Sequence, residues 1–208
     1  MITTDGQPTR SPVALDARHG WARDVPTSII NVPNAITVVR TVVSVLLAVT
    51  AISSGSGPLL AWAVGTYWFG DILDGWAART LGQETRFGAV LDIACDRLCC
   101  ALCLAGLVLR FPEMTAPLAL FAAQFLVLDL VLSLSFLRWP VLSPNYFHLV
   151  HPGVYRWNWS PVAKAANTGG LVVLAVVAPS PVWPALLAVA VVLVKATSLV
   201  VVRRLPHP

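Results

Sequence analysis

Charge is what this sequence has least of. Only 12% of its 208 residues are Asp, Glu, Lys or Arg, against 57% hydrophobic residues and a mean hydropathy of +0.75. That balance excludes an ordinary soluble domain and places the chain in a bilayer. An apolar leader is also missing: residues 1–30 are polar, contain Pro8, Pro12 and Pro26, and have no core of a cleavable signal peptide. They are read as a cytoplasmic N-terminal tail, disordered or short-helical. Cysteine is scarce too. Cys95, Cys99, Cys100 and Cys103 all fall in one apolar stretch, which implies no disulfide framework. A structural zinc site draws its ligands from a loop or from two elements, so these thiols are read as small, inert packing residues.

What is present is apolar length. A spanning helix needs roughly 20 apolar residues. Six stretches qualify, at about residues 35–53, 58–79, 88–110, 115–137, 160–179 and 182–202. The expected fold is therefore an all-α integral membrane protein with six transmembrane helices, in which residues 31–204 form one membrane domain. Arg10, Arg18 and Arg23 precede the first span, Arg79 and Arg86 flank the turn after the second, Arg138 and Arg156 follow the fourth, and Arg203 and Arg204 end the sixth. Basic residues collect in cytoplasmic loops, which puts both termini on the cytoplasmic side. The net charge of +4 then reads as topology and attraction to anionic lipid rather than nucleic-acid binding.

Acidic residues number ten, and five of them, Asp71, Asp74, Asp92, Asp96 and Asp129, fall inside predicted spans. Each costs about 2.5–3.5 kcal/mol at mid-bilayer on insertion scales, so something must compensate. Four lie in the stretch DILDGWAARTLGQETRFGAVLDIACD. Helical periodicity puts Asp71, Asp74, Gly75, Ala78 and Arg79 on one face, and Gly88, Asp92 and Asp96 on one face of the next helix. With a turn of about eight residues the two helices are antiparallel neighbours, and their acidic faces converge near the cytoplasmic boundary. Four carboxylates there need cations. Oxygen-only ligands favour Mg²⁺ or Mn²⁺, and four Asp suffice for a pair of ions. The small residues Gly75, Ala78 and Gly88 let a bulky ligand approach the backbone, or simply let the helices pack. A plainer alternative pairs the acids with Arg79, Arg86 or Arg97.

This stretch resembles the signature of the CDP-alcohol phosphatidyltransferases, D-x2-D-G-x2-A-R-x8-G-x3-D-x3-D, at each of its fixed positions: Asp71, Asp74, Gly75, Ala78, Arg79, Gly88, Asp92 and Asp96. The likeness extends to VPNAITVVR at residues 32–40 and TRFGAVLD at 85–92. The resemblance implies that Asp71, Asp74, Asp92 and Asp96 hold two Mg²⁺ or Mn²⁺ ions and that Asp96 is also the general base. It implies that Asn34, Ala35, Ile36, Thr37, Gly75, Arg79 and Thr85 contact the CDP-linked donor, CDP-diacylglycerol. It further implies a six-span homodimer that transfers a phosphatidyl group to an alcohol and releases CMP.

The acceptor is read from two shorter segments. Members using inositol phosphate carry a K-x-R-A-E-like segment where this chain has SFLRWPVLSPN, and members using glycerol 3-phosphate show G-K-x-K-T where it has SPVAKAANTGG. AKAANT is loosely similar to the SKxNT of cardiolipin synthases. The expected acceptor is thus of the phosphatidylglycerophosphate-synthase or cardiolipin-synthase type, with Lys164 a candidate for its phosphate. Arg138 and Arg156 serve equally as positive-inside anchors, and Asp129 and Lys195 are placed to pair with each other. Two other classes remain open, a cation transporter and a non-catalytic scaffold, although transporters place carboxylates near the midplane among broken helices.

Overall fold

The computed structural model describes residues 20–22 and 28–206. Six long helical stretches occur among the described residues: α1 (Val32–Ser54), α2 (Gly57–Thr80), α3 (Arg86–Arg110), α4 (Pro112–Arg138), α5 (Pro152–Val177) and α6 (Val182–Arg204), with a short 3-10 turn at Pro144–Leu149 between α4 and α5. No strand longer than an isolated bridge occurs among the described residues.

Local chemistry sets the boundaries. Asn31 caps α1 by accepting from the Asn34 N–H at 2.9 Å, and Pro33 in the first turn needs no amide partner. Gly55 ends α1 in the left-handed conformation (φ 67°), where any Cβ would be strained. Ser56 then caps α2, so the first two helices are joined by a two-residue link and must run antiparallel. The Thr85 hydroxyl caps α3 by accepting from the Gly88 N–H at 2.8 Å. Because α2 persists to Thr80 and α3 starts at Arg86, the turn between them is shorter than the sequence implied.

Four of the six helices, α1, α4, α5 and α6, are long and apolar enough to cross a membrane, and the chain is a multi-pass membrane protein. The expected count of six is not met by composition: α2 and α3 are as long, but Asp71, Asp74, Asp92, Asp96 and Arg97 interrupt them. Large apolar side chains such as Val42, Leu46, Trp62, Val176 and Leu193 point outward, as lipid-facing residues do.

Small side chains let α1, α2 and α3 pack closely. Ala48, Ala63 and Cys103 meet in one buried cluster, and the Ser44 hydroxyl donates across to the Ala63 carbonyl at 3.0 Å. All four cysteines are free thiols, and Cys99, Cys100 and Cys103 are buried packing residues. A larger core joins Leu60, Leu104, Leu118, Phe121, Phe125, Leu171 and Ala188. Near the end where α4 closes, Ile93, Phe136, Trp139, Val141, Phe147, Trp159 and Val202 form another.

Most of the 1–30 tail lies outside the described residues. Its described piece is docked: Trp21 bridges Val141 antiparallel, Ala22 N–H donates to the Pro140 carbonyl, and Leu142 N–H donates to the Gly20 carbonyl. Gly20 (φ 85°) sits so close to the Tyr146 ring that a Cβ there would fall 2.1 Å from it.

Asp129 sits where α4 widens into a π turn at Gln124–Asp129, and it accepts from Arg97 at 2.5 Å and from Lys195. The pairing with Lys195 agrees with the sequence reading, and Arg97 is an added partner. Removing the carboxylate leaves the buried Lys195 and the partly buried Arg97 without their shared anion. Asp129→Ala is therefore expected to destabilise the protein by about 3–5 kcal/mol, read as a lowered thermal midpoint in detergent. An unchanged midpoint would show that water reaches the pair.

Candidate active site

The antiparallel pairing of α2 and α3 brings the last turns of one helix against the first turns of the other. One oxygen each from Asp71, Asp74 and Asp92 lie within 4.8 Å of one another. Asp96, one turn beyond Asp92, falls outside that triplet but shares its partner. The shared partner is Arg40 of α1, whose Nε donates to Asp74 Oδ2 at 2.7 Å and whose Nη2 donates to Asp92 and to Asp96 Oδ1 at 3.1 Å. Asp71 Oδ1 is 3.7 Å from the same Nη2. Among the described residues no ion pair joins the four clustered acids to Arg79, Arg86 or Arg97: Arg40 faces all four, while Arg97 pairs with the fifth intramembrane acid, Asp129.

Sequence reasoning missed Arg40. Its signal was available: it is the one charged residue in α1, it ends the VPNAITVVR segment, and it lies three residues beyond Thr37 on the same helix face. A cation in the middle of an apolar helix demands a partner for the same reason as an acid does.

The chemistry of the donor set fits hard divalent ions. One guanidinium against four carboxylates leaves three negative charges, and the grouped oxygens of Asp71, Asp74 and Asp92 match the ligands Mg²⁺ and Mn²⁺ prefer.

The cluster forms one wall of a cavity of about 630 Å³, a size that suits a nucleotide headgroup plus a small polar molecule. Of the sequence-predicted donor contacts, Asn34, Thr37, Gly75, Ala78, Arg79, Thr85 and Gly88 line it, as does Lys164. Ala35 and Ile36 do not: successive helical residues rotate by about 100°, and these two turn away from the face that carries Asn34 and Thr37. The Thr37 hydroxyl donates to Asp74 Oδ2 at 2.8 Å, so this residue braces a carboxylate. Gly88 leaves room for a neighbouring side chain, since a Cβ there would lie 2.7 Å from Asn34 Oδ1. The nearest neighbour of Gly75 is the Arg79 guanidinium, 3.2 Å from where its Cβ would be, and the glycine keeps that wall low.

Across the cavity, both π turns present polar groups: Gln124 and Asp129 from α4, and Asn167 and Thr168 from the turn Ala165–Gly169 of α5. Such turns widen a helix and recur at functional sites. Lys164 Nζ donates to Asn145 Oδ1 at 3.0 Å on the same rim. At that rim the Tyr146 hydroxyl donates to Glu84 at 2.7 Å, and burial together with the adjacent carboxylate pushes the phenol pKa well up.

Among the described residues the fold is all-helical, and its convergent aspartates on one cavity wall are the arrangement of a membrane enzyme that could hold a metal ion. The sequence model of the CDP-alcohol phosphatidyltransferase family matches residues 30–200, and the chain belongs to this family of phosphatidyltransferases. It is 40% identical over 79 residues to the phosphatidylinositol phosphate synthase of Mycobacteroides abscessus, covering 36% of this chain and 34% of that protein. The corresponding synthase of Mycobacterium bovis is 37% identical over 106 residues, 49% of this chain and 48% of its own. The rat CDP-diacylglycerol–inositol 3-phosphatidyltransferase is 52% identical over 46 residues, 22% and 21% of the two chains. The chain thus spans a third to a half of the length of the first of these relatives. No solved structure matches the chain.

Proposed function

We propose that this protein transfers a phosphatidyl group from CDP-diacylglycerol to a hydroxyl of a small phosphorylated polyol and releases CMP. The observation that carries this reading is the convergence of Asp71, Asp74, Asp92 and Asp96 on one cavity wall that also holds Arg79. In this reading the four aspartates hold two divalent ions, Mg²⁺ or Mn²⁺. The ions, when bound, neutralise charge on the donor pyrophosphate and on the departing CMP. Arg79 adds a charge-assisted hydrogen bond to a donor phosphate. Asp96 accepts the proton of the acceptor hydroxyl as its oxygen bonds to the phosphatidyl phosphorus. The bond from that phosphorus to the bridging oxygen breaks, and its electron pair leaves with CMP. The chain itself forms no covalent intermediate, because positioning and electrostatics supply the catalysis.

All six helices cross the membrane in this proposal, with α2 and α3 shielding their charges at the protein centre. The clustering of Arg residues at the chain ends and after α2 and α4 supports a cytoplasmic site.

Inositol phosphate is the first acceptor to test, because the bacterial relatives are named for phosphatidylinositol phosphate synthesis. Their names replace the phosphatidylglycerophosphate- or cardiolipin-type acceptor expected from the short AKAANT likeness. Glycerol 3-phosphate is the second acceptor to test, although the chain lacks its G-K-x-K-T segment as well. The SFLRWPVLSPN segment lacks the K-x-R-A-E pattern, and its Val141 and Leu142 are buried instead of presenting charge to the cavity. Lys164, on the cavity rim, serves a phosphorylated acceptor of either kind.

Purified protein with Mn²⁺ and CDP-diacylglycerol is expected to release CMP fastest with one phosphorylated polyol in a panel of inositol phosphate, glycerol 3-phosphate, phosphatidylglycerol and serine. Release with inositol phosphate alone settles the first reading, and release with glycerol 3-phosphate alone replaces it with the second. No release with any of them removes the proposal.

A further inference from the structure

We propose that Arg40 is a built-in counter-cation of the carboxylate cluster. It holds the aspartates together when no divalent ion is bound and yields Asp92 and Asp96 to the ion when one binds. This inference rests on the metal-dependent reading above.

The division of labour within the guanidinium carries the argument. Arg40 is 96% buried, taking its 4% exposure from full. Its Nη2, with two protons, faces three carboxylates, Asp71, Asp92 and Asp96. Its Nη1 is equally buried and has no hydrogen-bond partner among the described residues. An arginine selected only as a structural ion pair would spread its five donors over the available oxygens, since a buried idle N–H costs about 1–3 kcal/mol. Here one nitrogen is over-committed while its neighbour is idle.

The rest of the side chain is fixed. Gly70 of α2 clears the space for its stem, since a Cβ there would fall 2.4 Å from Arg40 Cδ. Nε is anchored on Asp74, which Thr37 also holds. The Nε contact is therefore the permanent half and the Nη2 contacts are the exchangeable half. Nη2 and a divalent ion both draw on the carboxylates of Asp92 and Asp96, and two cations cannot crowd them closely without repulsion. Arg40 is thus a positioning residue: it stabilises the metal-free protein, and it sets the metal affinity by competing for the ligands.

The test uses the full chain in detergent, with Arg40→Gln and Arg40→Lys, reading thermal midpoints in EDTA and in saturating Mn²⁺ and measuring Mn²⁺ binding by the loss of free-ion EPR signal. Arg40→Gln is expected to lower the midpoint by several degrees in EDTA, to close most of that gap in Mn²⁺, and to bind Mn²⁺ about tenfold more tightly than wild type. Arg40→Lys, which keeps one charge but not the fork, is expected to shift both readouts the same way by less. A midpoint lowered equally with and without Mn²⁺, or Mn²⁺ binding no tighter than wild type, would overturn the inference. If Arg40→Gln folds only when Mn²⁺ is present, the inference stands. If it folds in neither condition, Arg40→Lys decides, and Mn²⁺ binding no tighter than wild type overturns the proposal. Wild type that binds no Mn²⁺ removes the metal-dependent reading itself, and this inference with it.

Discussion

Asp71→Asn and Asp92→Asn are each expected to reduce CMP release to background, and EDTA is expected to do the same to the unmodified protein until Mg²⁺ or Mn²⁺ is restored. Both side chains are about one-third exposed, 37% for Asp71 and 35% for Asp92, so neither is a keystone of packing. Asp74 is different: its side chain is 5% exposed and is held by Arg40 and Thr37, so its loss would disturb the fold as well as the site. The Asp71 variant, whose carboxylate is 3.7 Å from Arg40 Nη2, therefore isolates ligation from folding most cleanly. An amide has the size of a carboxylate but carries no charge, and losing one hard anionic ligand forfeits several kcal/mol of transition-state charge stabilisation, roughly a thousandfold in rate. Asp71→Asn should retain the thermal midpoint of the wild type in EDTA while losing the Mn²⁺-induced increase, whereas Asp92→Asn, which weakens an Arg40 contact, should lose the same increase from a lower EDTA midpoint. Near wild-type turnover in either variant, or full turnover in excess EDTA, would refute the ligand assignment.

The acidic half of this site was legible in the sequence because an intramembrane carboxylate is conspicuous. Five acids against an apolar background mark their own positions, and helical periodicity alone puts Asp71 with Asp74 and Asp92 with Asp96. The same reasoning failed on the positive side. Arginines were sorted by their place in loops, and Arg40, inside a span, belonged to no loop. Its partners lie 31 to 56 residues away on two other helices, a separation that periodicity within one element cannot bridge. The donor face of α1 was half legible. A resemblance covering four consecutive residues, Asn34 to Thr37, cannot place all of them on one side of a helix, and only Asn34 and Thr37 reach the cavity. The π turns at Gln124–Asp129 and Ala165–Gly169 had no local signature, because an extra residue per turn is a product of packing rather than propensity. The docking of Trp21 on Val141 was invisible for a similar reason: one antiparallel bridge between distant residues leaves no pattern in either segment.

Asp96→Asn is expected to separate chemistry from donor binding. Asp96 lies outside the 4.8 Å group formed by Asp71, Asp74 and Asp92, and its side chain is 18% exposed on the cavity wall. Of the four carboxylates it is the one outside the closest group, which suits it to meet an incoming hydroxyl. An asparagine there keeps the size of the side chain and an oxygen able to accept a hydrogen bond, so the surrounding geometry is preserved while basicity is lost. CDP-diacylglycerol binding in the presence of Mn²⁺ should stay within about tenfold, or 1.4 kcal/mol, while the rate falls by about 10²- to 10⁴-fold, the range for a lost general base. Arg79→Ala should show the opposite bias, weakening donor binding by removing a charge-assisted contact to phosphate while leaving proton transfer intact. The guanidinium of Arg79 stands beside the open wall at Gly75, so its removal leaves no buried partner stranded and the protein should keep its thermal midpoint. Donor affinity and single-turnover rates measured on both variants decide between the roles. A loss of donor binding in Asp96→Asn as severe as in Asp71→Asn would make Asp96 chiefly a metal ligand. The proton would then have to leave through another group on the cavity wall.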